Sequence, residues 1–203
     1  MFWDKVAGIY DIFGKIINGK VNSRVASFIS KRLDMTDDVL ECACGTGYMS
    51  AQLAEKCGSL TATDFSDGMV KQAEKRCSML PNVTVKKADI TALEFEDSSF
   101  DVVIAANVIH LLDDPDRALS ELQRVCKAGG SLIIPTYVNK GKTGKNSNLS
   151  NVFDAAGAGF KQQFSYRSYC RYFKEKGYNI SESVLVRGVV PCAVVILKND
   201  KHS

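Results

Sequence analysis

The feature that most constrains this chain is an alternation running from residue 39 to residue 134. Short apolar runs take turns with stretches in which apolar residues recur every three or four positions. Val39-Leu40-Glu41-Cys42-Ala43 reads as a strand that leads straight into the glycine turn Gly45-Thr46-Gly47. A helix follows from about Tyr48 to Lys56, closed near Gly58. Leu60-Thr61-Ala62-Thr63 is a second strand ending at Asp64, and Asp67 to Cys77 is a second helix. Val83-Thr84-Val85-Lys86 alternates apolar and polar, as a strand near a sheet edge does. Val102-Val103-Ile104-Ala105-Ala106 is apolar throughout, which predicts a central strand covered on both faces. Pro115 suits the first turn of a helix continuing through Leu119, Leu122 and Val125. Gly129-Gly130 is expected to stop that helix ahead of a strand at Leu132-Ile133-Ile134.

Outside the alternation, Val21, Val25, Phe28, Ile29 and Leu33 predict an amphipathic helix over 21–33. Residues 139–150 are polar and read as a loop, followed by a helix at about 165–176 and strands at 179–187 and 192–198. The pattern predicts an α/β fold with a doubly wound, mostly parallel seven-stranded sheet. The last two strands have no helix between them and are expected to pair as an antiparallel C-terminal hairpin. At 203 residues, one domain accounts for the whole chain, 1–203.

A formal charge of +3 marks no nucleic-acid binder. No apolar run is long enough to span a bilayer, and the N-terminus lacks the charged-then-apolar layout of a signal peptide. Seven cysteines, an odd number with no C-x-x-C pair, fit free thiols in a reducing compartment. A cytoplasmic location is expected. The sequons at Asn82, Asn148 and Asn179 are then chance matches.

Open parallel sheets bind ligands beyond the carboxyl ends of their strands, which draws attention to the first strand–turn–helix. Gly45 and Gly47 let backbone approach a ligand closely. The turn lacks the Gly-Lys-Ser/Thr ending of a P-loop, which argues against nucleoside triphosphates. Asp64 ends the second strand, where a carboxylate can accept from the vicinal hydroxyls of a ribose. Asp89 follows the third strand, where a carboxylate can accept from an adenine amine. Each acid alone can equally be a strand terminator or a helix cap; three such features on successive strands are harder to set aside.

VLECACGTG at 39–47, Ala62-Thr63-Asp64, Ala88-Asp89-Ile90, the strand from Asp101 to Asn107 and Lys127-Ala128-Gly129-Gly130 together resemble the ordered motifs of class I S-adenosylmethionine-dependent methyltransferases. The resemblance covers roughly residues 1–135 by motif and the rest by element order, and is nearest to the small-molecule branch that includes ubiquinone/menaquinone C-methyltransferases. Ala43 departs from the first glycine of the family's G-x-G-x-G, and Glu41 replaces the commoner Asp while keeping the carboxylate. The resemblance implies S-adenosyl-L-methionine as cofactor and S-adenosyl-L-homocysteine as product. By it, the backbone of Ala43, Gly45 and Gly47 lines the methionine and ribose, and Glu41 acts through the nearby amino group or orders the turn. Asp64 holds the ribose diol, Phe65 and Met69 pack the adenine, and Asp89 with the Ile90 backbone reads the adenine edge. Asn107 presents its carbonyl to the methionine amino group, and Tyr10 resembles a lid residue over the cofactor.

The implied reaction is methyl transfer to a small-molecule acceptor. A sulfonium carries its own leaving group, so few catalytic side chains are needed, which suits a chain with two histidines. A nicotinamide enzyme is disfavoured by Ser50 at the third small position and by the lack of a hydride-transfer site. Residues 1–20 are expected to form an N-terminal lid and 136–166 an acceptor-side insertion. Tyr10, His110, Thr136 and Tyr137 are expected to wall the acceptor space, and Phe153, Phe160, Phe164 and Tyr166 to roof it. The alternative is that these aromatics bury the C-terminal hairpin. The catalytic candidates are His110 as general base, Tyr137 and Tyr10; a hydrogen-bonded structural histidine is the plainer reading of His110.

Other motifs weigh less. Cys42-x-Cys44 does not fill a zinc shell, so no metal is expected. Pro191-Cys192 resembles the nucleophilic dipeptide of cytosine-C5 methyltransferases but sits in the terminal hairpin, where a buried thiol is the plainer reading. Phe2 and Trp3 suggest peripheral membrane contact if the acceptor is lipophilic. Two competing functions are a cofactor-binding regulatory or assembly protein without turnover, and an RNA or protein methyltransferase using the lysines of 139–150.

Overall fold

A computed structural model describes residues 18–139 and 161–200. Each apolar run of the alternating region becomes a strand. These are β1 (Asp38–Cys42), β2 (Ser59–Asp64), β3 (Val83–Lys87), β4 (Phe100–Ala105) and β5 (Cys126–Tyr137), followed by β6 (Asn179–Val186) and β7 (Cys192–Lys198). They form one sheet in the order β3-β2-β1-β4-β5-β7-β6. β1 to β5 are mutually parallel, and β7 is antiparallel to both β5 and β6. The edge position of β3 and the central position of β4 follow their sequence patterns. Strand order reverses between β1 and β4, the switch point at which a crevice opens beyond the carboxyl ends.

The helices are α1 (18–30), α2 (Tyr48–Leu53), α3 (Asp67–Cys77), α4 (Pro115–Val125) and α5 (Tyr166–Glu175). Two short 3₁₀ turns sit at Ala54–Lys56 and Ile109–Leu111. Alternation along the strands divides the core in two. Val39, Val102 and Ile104 face Val21, Val25 and Ile29 of α1, together with Leu53 and Ala73. Leu40, Val103, Leu132 and Ile134 face Leu119 and Leu122 of α4 and Tyr169 and Phe173 of α5. Side-chain caps start the helices where the sequence offers them. Ser66 accepts from Met69 N on α3, Asp114 accepts from Arg117 N ahead of Pro115, and Ser165 with Ser168 closes a capping box on α5.

Two boundaries differ from the sequence reading. α1 is helical from 18 and ends at 30, where Arg32 turns back to donate to Phe28 O and to pair with Glu182 on β6. Gly129-Gly130 does not end α4, which stops at Val125 and passes directly into β5. The glycines lie inside β5, where the register against β4 slips from Phe100↔Cys126 to Val102↔Ser131. A Cβ at Gly130 would sit 2.7 Å from Asp101 O and Cys126 Sγ, so the position accepts no side chain. The last two strands pair antiparallel as expected, with β7 between β5 and β6 and buried along nearly its whole length. Among the described residues no helix is long and apolar enough to cross a membrane.

Asn199 clamps the junction of α4 and β5. Its amide donates to Gln123 O in the last turn of α4 and to Cys126 O and Lys127 O at the start of β5, at 3.1, 2.7 and 3.2 Å. Asn199→Ala strands these acceptors in a buried position and should lower unfolding free energy by about 1–3 kcal/mol. Urea denaturation checks this; an unchanged midpoint at unchanged slope would show that the clamp does not hold the α4–β5 junction.

Candidate functional site

The cleft begins where β1 must turn into α2 within five residues. Ala43, Gly45 and Gly47 all adopt left-handed φ, at 54°, 57° and 74°. A Cβ at Gly47 would lie 3.1 Å from Ala73 Cα and Cβ, so this glycine lets α2 start hard against α3. A Cβ at Gly45 would meet nothing within 4 Å, and Gly45 lines the cleft. Packing therefore does not demand its bare backbone. Ala43, which carries a Cβ in the same region, costs about 1 kcal/mol or more.

Three interactions hold the turn. Cys44 N donates to Thr63 O at 2.9 Å, and Gly45 N donates to Asp64 Oδ2 at 2.9 Å. The other Asp64 oxygen accepts from Ser66 N at 2.9 Å, so one carboxylate joins the glycine turn to the start of α3. From behind, Arg76 on α3 donates to Thr46 O and Oγ1 at 2.8 and 2.7 Å, with its guanidinium 6.0 Å from the centre of the Tyr48 ring.

The cleft is open, with an enclosed volume of about 100 Å³. Glu41, Ala43 and Gly45 form its floor, Tyr48 and Met49 one side, and Ala106 and Asn107 after β4 another. Gly19, Asn22 and Val25 of α1, with Tyr137 and Cys192, form the far wall. Glu41 is 2% exposed and accepts from Ser50 Oγ at 2.5 Å. Burial pushes its carboxyl from an ordinary 4.5 up to about 7; the Ser50 bond pulls it down, and the Asp64 charge pushes it further up. Asn107, at φ 55°, donates its N–H to Pro135 O and accepts from Tyr137 N through Oδ1. The Tyr137 hydroxyl donates to Asn22 Oδ1 at 2.8 Å and so links β5 to α1.

The structure thus brings Glu41, Ala43, Gly45, Asn107 and Tyr137 together, with Asp64 attached through Gly45. Gly47 stands just behind the turn. Phe65 (48% exposed), buried Met69, exposed Asp89 and buried Ile90 lie off the cleft walls, at the ends of β2 and β3. Asp89 Oδ1 accepts from Thr91 N and Oγ1 at 2.8 and 2.7 Å.

Several acceptor-side expectations need correction. His110 is 3% exposed, off the cleft, and its carbonyl accepts from Lys161 N and Gln162 N. Burial holds its imidazole down to about 4, so it is a poor base as well as an inaccessible one. Thr136 alternates to the opposite face from Tyr137 and donates to Tyr169 Oη at 2.9 Å, beneath α5. Phe164 packs on Tyr169 and Tyr172 with ring centroids 5.0 and 5.4 Å away, and the Tyr166 hydroxyl meets Ser183 Oγ. These two aromatics bury the C-terminal hairpin rather than roof a pocket. Cys192 is a buried thiol of β7, pushed up to about 12 by desolvation. Tyr10, Phe153 and Phe160 lie outside the described residues, as do most of the 1–20 and 136–166 segments.

Ser50, Arg76 and Asn22 were not read as site residues from the sequence. Ser50 was weighed only for its size, while Arg76 and Asn22 belong to no local pattern and reach the site through helix packing.

Residues 40–134 match the family described as Methyltransferase domain. Demethylmenaquinone methyltransferase of Clavibacter sepedonicus is 33% identical over 134 residues, 65% of this chain and 55% of that protein. Phosphatidylethanolamine N-methyltransferase of Cereibacter sphaeroides is 31% identical over 138 residues, 66% of each. The chain therefore spans between 55% and 66% of these curated relatives' own length. A solved complex of the Haloferax volcanii Trm112 methyltransferase activator with a methyltransferase contains a chain that superposes with a TM-score of 0.80. It covers 98% of both chains at 17% identity, a likeness that shows the fold. The family match opens inside β1 and closes inside β5, enclosing the glycine turn, Asp64, Asp89 and the strands between. With that match and these relatives, residues 40–134 carry a methyltransferase domain.

Proposed function

We propose that this protein is an enzyme transferring a methyl group from S-adenosylmethionine to a small, lipophilic acceptor. The observation that carries the reading is the cleft floor, where the open backbone cradle at Gly45 stands beside the buried carboxylate of Glu41. A carboxylate there, raised to about 7, is the group a cationic ligand would satisfy. The donor set fits the family's cofactor. Backbone at 43–47 would receive its methionine and ribose, Asp64 the ribose diol, and the Asn107 carbonyl and Glu41 its amino group. Phe65, Met69, Asp89 and the Ile90 backbone would surround its adenine.

When bound, that cofactor supplies an activated methyl with its own leaving group. The chain's part is then to align the acceptor and exclude water. Tyr137, held by Asn22 on the far wall, faces the space an acceptor would fill and is the one catalytic candidate with a described place in the cleft. Tyr10 and residues 1–20 as a lid, the 136–166 segment on the acceptor side and a single domain over 1–203 remain part of the proposal. A lipophilic acceptor is supported by the names of the two relatives, which act on a menaquinone precursor and a phospholipid. All seven cysteines are free thiols, which supports a cytoplasmic location.

Calorimetry with S-adenosylhomocysteine tests the cofactor reading directly. Asp64→Ala should weaken binding at least tenfold, from about 2–4 kcal/mol of charge-assisted bonds, with circular dichroism showing an intact fold. Arg76→Ala removes the brace behind the turn and should cost about fivefold to tenfold. Failure of the wild-type chain to bind either S-adenosylmethionine or S-adenosylhomocysteine would end the proposal. Mass spectrometry of cell extract incubated with methyl-labelled cofactor then identifies the acceptor.

Glu41 makes a separate, signed prediction. Its folded-state pKa lies above its ordinary value, so its contribution to stability is complete below pH 4.5 and is lost as pH rises through 7. Glu41→Gln should therefore gain stability relative to wild type between pH 5 and 8, on the order of 2–3 kcal/mol. His110, depressed to about 4, contributes the opposite slope below its ordinary 6.5, but equally in both proteins, so it cancels in the difference. Cofactor affinity should rise with pH through about 7 in wild type and stay flat in Glu41→Gln. A flat wild-type profile would remove Glu41 from the cation's surroundings.

A further inference from the structure

The flank where α1 meets the turn between β6 and β7 stands at the cleft end of the sheet. Tyr137, at the carboxyl end of β5, pairs with Cys192 at the start of β7. The turn over 187–191 therefore lies beside the cleft mouth, and Cys192 is one of the cleft walls. The turn is stiffly mounted. Asn18 Nδ2 donates to Val190 O at 2.9 Å, and Val190 N donates back to Asn18 Oδ1 at 3.3 Å. A Cβ at Gly188 would overlap Val21 Cγ2, so the turn lies flat on the first turns of α1.

On this mount Val189 is 68% exposed, with exposed Arg187 two residues before it. Lys20 and Arg24 are exposed on α1 and project within about 40° of each other around the helix. They point away from Val21, Val25 and Ile29, which enter the core. Acids are few on this flank among the described residues. Glu182 is bound by Arg32 at 2.6 Å, Asp34 and Asp37 lie past the far end of α1, and Asp113, Asp114 and Asp116 belong with α4 on the opposite face of the sheet. One exposed valine is ordinary on any surface. An exposed valine on a fixed turn, beside three cations and the mouth of a cleft, is a combination that fits a particular partner.

We infer that this flank docks on an anionic phospholipid bilayer, Val189 entering the headgroup layer while Lys20, Arg24 and Arg187 meet lipid phosphates. Docked in this way, the cleft mouth lies at the membrane surface, where a lipophilic acceptor can pass into it without crossing water. That purpose rests on the proposed function; the docking itself does not. A nucleic acid would use the cations but gain nothing from the valine, whereas an anionic bilayer uses both.

Vesicle sedimentation of the full chain tests this. Phosphatidylcholine vesicles are compared with vesicles about one third phosphatidylglycerol, at low and high salt. Wild type should partition onto the anionic vesicles and be released by salt. Each cation removed should cost about fivefold in partitioning, so K20Q/R24Q/R187Q should lose about a hundredfold. Val189→Asp should also bind the anionic vesicles more weakly, while both variants keep wild-type S-adenosylhomocysteine affinity by calorimetry. Equal partitioning of wild type onto neutral and anionic vesicles, or a triple variant that partitions like wild type, overturns the inference. Retention by a homopolymeric RNA that Val189→Asp leaves unchanged, without anionic-vesicle binding, also overturns it and assigns the cations to nucleic acid. Loss of vesicle binding with an intact cofactor titration leaves the methyl-transfer reading standing, and loss of the titration alone leaves the docking standing.

Discussion

The bond from Gly45 N to the Asp64 carboxylate is the constraint on which the rest of the cleft depends. Three left-handed residues in a span of five do not hold themselves in place, and Ala43 resists the conformation. Asp64 counters that by reaching from the end of β2 to the turn with one oxygen and to the start of α3 with the other. The turn, the second strand and the third helix are thereby fixed relative to one another at a single side chain. The floor of the cleft, the entry of α2 and the contact of Gly47 with Ala73 all inherit their positions from it.

That floor carries an electrostatic cost. A buried carboxylate whose hydrogen-bond partner among the described residues is a serine hydroxyl remains raised to about 7, because one neutral hydrogen bond does not replace the hydration it loses. A glutamine at 41 would serve the apo fold better. Retention of the acid makes sense where a cation completes the site, the familiar exchange of stability for function at a binding position. Ser50 then serves to aim the carboxylate. His110 shows the converse case: buried to a similar degree, it is pushed toward its neutral form, and with no place on the cleft its depressed basicity has no chemical use there.

How much of this was legible in the sequence depended on how local the signal was. The uninterrupted apolar run ahead of Asn107 gave away β4 as central, and Thr84 and Lys86 gave away β3 as an edge, because burial on one or two faces is written directly into alternation. The glycine turn and Asp64 were readable for the same reason, as contiguous elements with fixed spacing. Gly129-Gly130 misled because a helix stop and a strand bulge use the same residue; what separates them is Asn199, seventy residues away in sequence. Thr136 and Tyr137 could not be told apart without the true extent of β5, which decides which of two neighbours faces the cleft. Arg76 and Asn22 reach the site only by packing, and no spacing announces them.

The cleft is assembled from two kinds of sequence. One side comes from the stretch Glu41 to Asn107, entirely inside the family match. Its far wall comes from Gly19, Asn22 and Val25 near one end of the chain and from Tyr137 and Cys192 toward the other, all outside that match. The inverted order β5-β7-β6 is what joins them: it brings Cys192 alongside Tyr137 and leaves the 187–191 turn resting on α1. The two halves meet through the Asn107–Tyr137 bond, the β4–β5 pairing and the packing of α1 on β1 and β4, while the Tyr137–Asn22 bond ties the far wall to itself. The family match over residues 40–134 accordingly takes in the side of the cleft built from Glu41 to Asn107, while the walls supplied by α1 and by the β5–β7 pair lie outside it.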